Sequence, residues 1–429
     1  MKSSVNLLSF AGLVCSLLGA PAAHATQPLS AFLERATAQS YESRESAATF
    51  RQREAESDAA LGRLLPAFSA RGIYTRNQYQ PEFQSPAGTI IIQRYNQLDA
   101  YLQLDVPLLD LANYHRYKSQ QALARAASES QTVTNLDTGR AVSQAYFQFI
   151  GASALARSAR LSVASTEENL KNVEARKSAG VATEFDRERA VANVERARQD
   201  VADAELGADL AGRALETLSG LLPTPSEDFP SDDLTEEAPL ERWQTLAASS
   251  AQGRVAQSSQ DAAIEGQKAA KRALLPTLSA SAQEHIGNAA GIGGHATSYS
   301  VQLIAAIRLD YTTLATSRAQ ASAAEIQGIR AERTQRSVSD ATYNAYRRVQ
   351  AGIAKSRSAR AQATAARRAA ELAGDRYGAG AATQLDVTIA QRDAYLADAA
   401  RIQADADLAL ARALLRFAVG QNPTSGRTP

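Results

Sequence analysis

The second half of this 429-residue chain repeats the first, and that constrains its fold more than any other feature. Residues 141–220 align without a gap on residues 341–420 at a constant offset of 200, with 21 identities in 80 positions. The densest stretch runs from Arg176 through Gly180, Thr183 and Asp186, and its counterpart runs from Arg376 through Gly380, Thr383 and Asp386. Arg157-Ser-Ala-Arg160 likewise matches Arg357-Ser-Ala-Arg360. So long a period excludes a solenoid of short units and implies one large module used twice.

Proline divides the chain. None lies between Pro107 and Pro223, or between Pro276 and Pro423, and both windows are rich in Ala, Arg, Gln, Glu and Leu. Good helix formers without a breaker predict a very long helix, a turn and a returning helix in each window. The first long helix is expected over about 109–178, roughly 100 Å at the α-helical rise. A helix so long needs partners along its length. Its apolar positions are mostly alanine, which favours closely spaced helix pairs. Gly180 and Gly380 fit left-handed helix ends, Thr183 and Thr383 fit N-caps, and Asp186 and Asp386 stand three residues on, as in a capping box.

Period-2 alternation precedes each window. Phe68, Ala70, Gly72 and Tyr74 alternate with Ser69, Arg71, Ile73 and Thr75, and Leu98, Ala100, Leu102, Leu104 and Val106 alternate with Gln97, Asp99, Tyr101, Gln103 and Asp105. In the second half Leu278, Ala280 and Ala282 alternate with serines and Gln283, and Tyr299, Val301, Leu303, Ala305 and Ile307 alternate with Ser298, Ser300, Gln302 and Ala306. These patterns predict strands over about 66–79, 94–108, 276–286 and 297–309, each with one apolar face. The loops 81–89 and 287–294 join them in pairs. Both pairs open on Leu-Leu-Pro, at Leu64 and Leu274. Four strands are too few to close a barrel, for which about eight are needed. They must therefore be shared between copies of the chain, and three copies would supply twelve.

Residues 1–25 read as an export signal: Lys2, an apolar run from Val5 to Leu18, and Ala23-His24-Ala25 as the cleavage site. Cys15, the one cysteine, lies inside it, in a poor context for lipidation. The exported chain is expected to hold no disulfide, no thiol nucleophile and no thiolate metal site. Losing Lys2 leaves 45 basic and 45 acidic residues. That balance argues against a general nucleic-acid binder. Downstream, no apolar run is long enough for a transmembrane helix, which leaves a closed β-barrel as the way to span a bilayer.

The duplicated order of helix, strand pair, long helix, glycine turn and helix resembles the outer-membrane efflux protein family of the TolC type. So does the twice-used Arg-x-x-x-Gly-x-x-x-x-[Phe/Leu]-Asp pattern. The resemblance covers the chain after residue 25. It implies a mainly α fold with a membrane β-barrel, in which duplicated helical hairpins build a trimeric α-barrel tunnel below a shared twelve-stranded barrel. The division it implies is a first repeat over 26–220 with its hairpin at 109–219, a linker or equatorial segment at 221–239, a second repeat over 240–420 with its hairpin at 311–418, and a disordered tail at 421–429. The partners it implies are two further copies of the chain, outer-membrane lipid, a periplasmic adaptor (membrane fusion protein) and an inner-membrane pump.

Residue by residue, Asp386 falls where the family places an acidic ring at the closed periplasmic mouth; Ile389 stands where a second acid is often found. Tyr377 matches a family tyrosine that latches the neighbouring hairpin, with Asp186 as its partner, and Ala382 replaces a basic latch residue. Arg176, Gly180 and Val181, with Arg376, Gly380 and Ala381, match the turns that meet the adaptor. No catalytic residue, cofactor or metal is expected. His115, His285 and His295 are scattered without metal-ligand spacing, and Trp243 reads as a packing residue. Two other classes are weighed: a periplasmic coiled-coil structural or adaptor protein, which would carry one hairpin between β-rich domains, and an enzyme, for which no constellation is present. Drug, metal and protein cargo all stay open.

Overall fold

The computed structural model of the protein describes residues 27–86, 88–224, 232–289 and 295–423. The expected export signal, and parts of the expected linker and tail, lie outside the described residues. The two proline-free windows each begin with one unbroken helix, α3 (Leu111–Ser178) and α7 (Tyr311–Gly378), 68 residues long in both cases. Each starts after an aspartate, and the two aspartates are 200 positions apart. Asp110 accepts the backbone N–H of Asn113 at 2.8 Å, and Asp310 accepts that of Thr313 at 2.6 Å. A carboxylate there satisfies a free amide and complements the positive helix end. The cap at Asp110 puts the first long helix at 111, two residues after the expected start, because Leu108 and Leu109 still belong to a strand. Antiparallel to these run α4 (Glu184–Ser219) and α8 (Gln384–Ala418).

Four shorter helices complete the α part: α1 (Leu29–Gln39), α2 (Tyr41–Gly62), α5 (Leu240–Ala248) and α6 (Ala251–Arg272). The stretch from Leu240 to Arg272, rich in helix formers, is thus two helices rather than one. Ser250 makes the break, its hydroxyl accepting the Gly253 amide at 3.3 Å. Ser40 makes the same break between α1 and α2, accepting the Ser43 amide at 3.1 Å. The 210-residue spacing of these serines equals that of the Leu-Leu-Pro marks. The break frees the short helices to fold back as clamps. Phe32, Leu33 and Ala36 of α1 are buried against Val142, Tyr146, Phe149 and Ile150 of α3, Leu215 of α4 and Phe417 of α8. Trp243 and Ala247 of α5 are buried against Val338, Val349 and Ile353 of α7 and Leu408 and Leu415 of α8. Phe417 packs so close to Gly139 that a Cβ there would lie 2.9 Å from its ring.

The strands are β1 (Ala67–Arg76), β2 (Glu82–Ser85), β3 (Gly88–Ile91), β4 (Asn96–Leu109), β5 (Thr277–Gly287) and β6 (Thr297–Ala306). The loop expected at 81–89 holds a hairpin of its own, β2 with β3. The other four form one antiparallel sheet in the order β1-β4-β5-β6. Its register gathers the apolar residues on one face. Phe68 lies opposite Leu104, Ala70 opposite Leu102 and Tyr74 opposite Leu98. Leu104 also meets Ala282, which in turn meets Val301, and Ala280 meets Leu303. The other face carries Arg71, Asp99, Gln103, Asp105, Gln283, His285, Ser300 and Gln302. Among the described residues two charged side chains lie on the apolar face: Glu284, between Leu102 and Tyr299, and Arg76 at the end of β1, opposite Asn96. Neither β1 nor β6 has a partner on its outer edge among the described residues.

Helix order continues strand order. α2 leads into β1, β4 into α3, α6 into β5 and β6 into α7, and α2 packs on α3, α3 on α6, and α6 on α7. Toward the other end α3 packs on α4 and α8, and α7 on α8. Alanine makes the close approach possible, as with Ala156 and Ala159 of α3 against Ala204 of α4. The linker is tied down by charge. Arg412 of α8 pairs with Asp232 at 2.7 Å and Glu237 at 2.5 Å. Arg360 of α7 donates to the Asp232 carbonyl at 2.8 Å and pairs with buried Asp405 at 3.0 Å. Among the described residues no helix is long and apolar enough to cross a membrane.

Candidate functional site at the helical turns

The α3–α4 and α7–α8 turns are built by the same local chemistry. Gly180 and Gly380 have φ of 73° and 74°, a region that residues with a Cβ enter at a cost. Nothing lies within 4 Å of where a Cβ would stand at either, so the backbone alone selects glycine. Gly180 donates to the Lys177 carbonyl at 2.9 Å and Val181 to that of Arg176 at 2.8 Å; Gly380 and Ala381 do the same to Tyr377 and Arg376, at 3.0 and 2.7 Å. This is a Schellman ending in both copies.

Each following helix opens with a full capping box. Thr183 donates to Asp186 from its hydroxyl at 2.7 Å and its backbone N–H at 3.0 Å, while the Asp186 N–H donates to the threonine hydroxyl at 3.1 Å. Thr383 and Asp386 repeat this at 2.7, 2.8 and 3.2 Å. Hydrogen bonds from Thr383, with Arg376 near by, hold the Asp386 carboxyl below the ordinary carboxylate range. Asp186 is lowered likewise by Thr183 and by nearby Arg189. Asp386 is exposed; Asp186 is half-buried.

The turns differ in what surrounds them. At the first, Lys177 and Glu184 form an ion pair, and Glu184 also lies 3.4 Å from Arg187. The residues 200 positions on are Tyr377 and Gln384, both buried. Tyr377 sits with Val387 against Val173 and Ala190 of the first hairpin, and Ala182 and Ala382 pack beside them. Burial pushes the Tyr377 phenol up, and Arg176 pulls it the other way. Gln384 is 2 % exposed, and neither atom of its side-chain amide has a hydrogen-bond partner. Arg176 reaches across to the second hairpin, whereas Arg376 is exposed and stays within its own turn, donating to the Ala381 carbonyl at 3.3 Å with Asp386 near by. Val181 and Phe185 are each 65 % exposed, so the first turn presents apolar surface outward. A groove of about 740 Å³ lies between α3, α7 and α8 higher up, and one of about 920 Å³, lined in part by Asn169, Arg176, Tyr377 and Asp398, ends at the turns.

The structure thus brings Arg176, Tyr377, Asp186 and the two glycine turns to one end of the molecule, with Tyr377 against Arg176 and the Asp186 carboxylate on Thr183. Sequence reading missed the two histidine contacts. His115 lies 2.7 Å from Glu265, between α3 and α6, and His285 lies 2.8 Å from buried Asp99, between β4 and β5. The partners are 150 and 186 positions apart, and only the sheet register and the α3–α6 packing reveal them. Among the described residues no three His, Cys, Asp or Glu side chains gather as metal ligands.

Among curated proteins none matches this chain in sequence at a significant level. Solved structures match its fold. A membrane protein from Pseudomonas aeruginosa superposes with a TM-score of 0.78 at 19 % identity, covering 91 % of this chain and 93 % of that one. The outer membrane protein VceC of Vibrio cholerae gives 0.78 at 15 % identity, covering 92 % and 96 %. The open state of the Neisseria gonorrhoeae outer membrane channel MtrE gives 0.76 at 19 % identity, covering 92 % and 89 %. The outer membrane efflux protein profile matches residues 32–221 and 243–421, one stretch for each repeat. With two matched repeats and the fold they predict, the chain belongs to the outer membrane efflux protein family.

Proposed function

We propose that this protein is the outer-membrane exit duct of a tripartite efflux or type I secretion system, conducting cargo passively from an inner-membrane pump and a periplasmic adaptor to the outside. The observation that carries this reading is the sheet. Its four strands put mostly apolar residues on one face and mostly polar residues on the other and keep both outer edges open among the described residues, and two of them, β4 and β6, lead into helices of 68 residues. Pairing β6 of one copy with β1 of the next closes three copies into a twelve-stranded barrel, apolar face to lipid and polar face to the lumen. The helices continue as a tunnel roughly 100 Å long.

In this reading the helical turns form the periplasmic end. Gly180, Val181, Gly380 and Ala381, with Arg376, meet the adaptor; Arg176, also expected there, is half-buried against Tyr377 of the second hairpin. Asp386 from three copies forms an acidic ring that binds cations and repels anions, with Asp186 and Tyr377 beside it. Small molecules are the favoured cargo, and selection among them belongs to the pump. Photocrosslinking probes at Val181 and Ala381 in the native host, read by mass spectrometry, test the assembly. Capture of a periplasmic adaptor is the expected result. A folded protein that captures none, and that migrates as a monomer in detergent without heating, would instead be a periplasmic spacer.

A further inference from the structure

The two turns are near copies, so a place where equivalent residues behave differently marks a task that only one hairpin performs. Arg176 and Arg376 are such a place. Arg376 is exposed and bound to its own turn. Arg176 crosses to the other hairpin. Its guanidinium carbon stands 4.7 Å from the centre of the Tyr377 ring, and its Nη1 donates to the Gly378 carbonyl at 3.0 Å. Its Nε is buried without a hydrogen-bond partner. Gly378 is the last residue of α7, so the cation also meets the negative end of that helix. The neighbouring cation, Lys177, turns back to Glu184 within its own hairpin.

We propose that Arg176 is the positioning residue that holds the two hairpins of one protomer together at the turn end. This inference rests on the exit-duct reading and adds to it a residue and a contact. The face of Tyr377 receives the guanidinium plane, and the α7 terminus receives its N–H. Moving the second hairpin away from the first breaks both at once; Val173, Ala190 and Val387 add apolar contact beside them, and the next polar links lie a turn further from the tips, where Gln391 donates to Ser165 and accepts from Asn193. Arginine suits the position because its flat cation stacks and donates in the same plane, which a lysine ammonium cannot do. Closure within a protomer therefore depends on a residue that repeat symmetry alone would assign to the outer surface.

The test uses the full-length, purified assembly. Spin labels at engineered cysteines, Val181→Cys and Ala381→Cys, report the distance between the turns. Planar-bilayer conductance reports the opening of the duct. Arg176→Ala is expected to broaden and lengthen the label distance and to raise the open population roughly tenfold, as loss of a desolvated cation–π contact implies. Tyr377→Leu, which removes the ring face, reproduces the effect, and Arg176→Lys gives a smaller one. Lys177→Ala removes a cation one residue away and leaves both readouts at the parent level. Unchanged label distances in Arg176→Ala, or equal changes in Lys177→Ala, overturn the proposal. Should the parent protein show no conductance, the duct reading falls, and the label distances still decide the role of Arg176.

Discussion

Asp186 and Asp386 hold the same local place in the fold, one at the start of each returning helix. Both are tied into capping boxes, and both carboxyls are held below the ordinary aspartate value of 3.8. The sign follows from linkage. A lowered folded-state pKa stabilises the turn above the ordinary value, and that stabilisation is lost as pH falls through the depressed one. Below pH 3.8 both the caps and the fixed negative charge are therefore expected to fade. Two readings of the purified assembly follow: amide protection over 184–187 and 384–387, corrected for the intrinsic pH dependence of exchange, falls as pH drops below 3.8, and cation selectivity of the current declines over the same range. Asp386→Ala is expected to lower cation selectivity at neutral pH more than Asp186→Ala does. Equal selectivity in the two variants would remove Asp386 from the pore mouth. The capping role was legible in the sequence because a capping box is a local pattern, whereas the acidic ring came from the family resemblance alone. Arg176 was not: nothing near Arg176 or Arg376 tells which one crosses between hairpins, since that depends on a ring brought in from 200 positions away.

Among the elements, the sheet makes the sharpest claim, because a period of two leaves no choice of side. Val301 and Gln302 are neighbours on β6 and point to opposite faces. A charge on the lipid side of a barrel costs about 2–4 kcal/mol near the middle of the membrane. Val301→Arg is therefore expected to destabilise the assembly in vesicles by about that amount, while Gln302→Arg changes it by about 0.5 kcal/mol. Urea unfolding in lipid vesicles distinguishes them, and equal losses would refute the face assignment. The long helices and the four sheet strands were readable because runs of alternation and proline-free windows are strong signals. The β2–β3 hairpin was hidden by its brevity, in a stretch whose Pro, Gly and Ser read as loop. The breaks at Ser40 and Ser250 were hidden because a serine amid helix formers ends a helix only when the chain has somewhere to turn. Here it turns toward the clamping contacts of Phe32 and Trp243.

For the whole molecule, the two repeats meet along their length, through β4 against β5 in the sheet and α3 against α6 and α8, while the linker between them is fastened to α7 and α8. The hold on the linker depends on Arg412, which sits with only 13 % of its side chain exposed between Asp232 and Glu237. Removing it leaves two acids with little water and no cation. Arg412→Ala is expected to cost about 3 kcal/mol locally and to release the linker to protease near residue 232. Resistance equal to that of the parent chain would show the linker to be held by packing alone.

The open edges of β1 and β6 also govern how such a protein can be made. A lone chain entering lipid would expose a row of unpaired backbone amides and carbonyls on each side of its sheet, at several kcal/mol apiece. In water the same edges invite pairing with any available strand. Insertion and closure therefore coincide as a single event of high molecularity. Its rate climbs faster than in proportion to the supply of chains, so wherever lone chains are also being degraded, halving synthesis leaves fewer than half the assemblies. A defective copy also disables the sound copies it joins, which makes edge-strand lesions dominant.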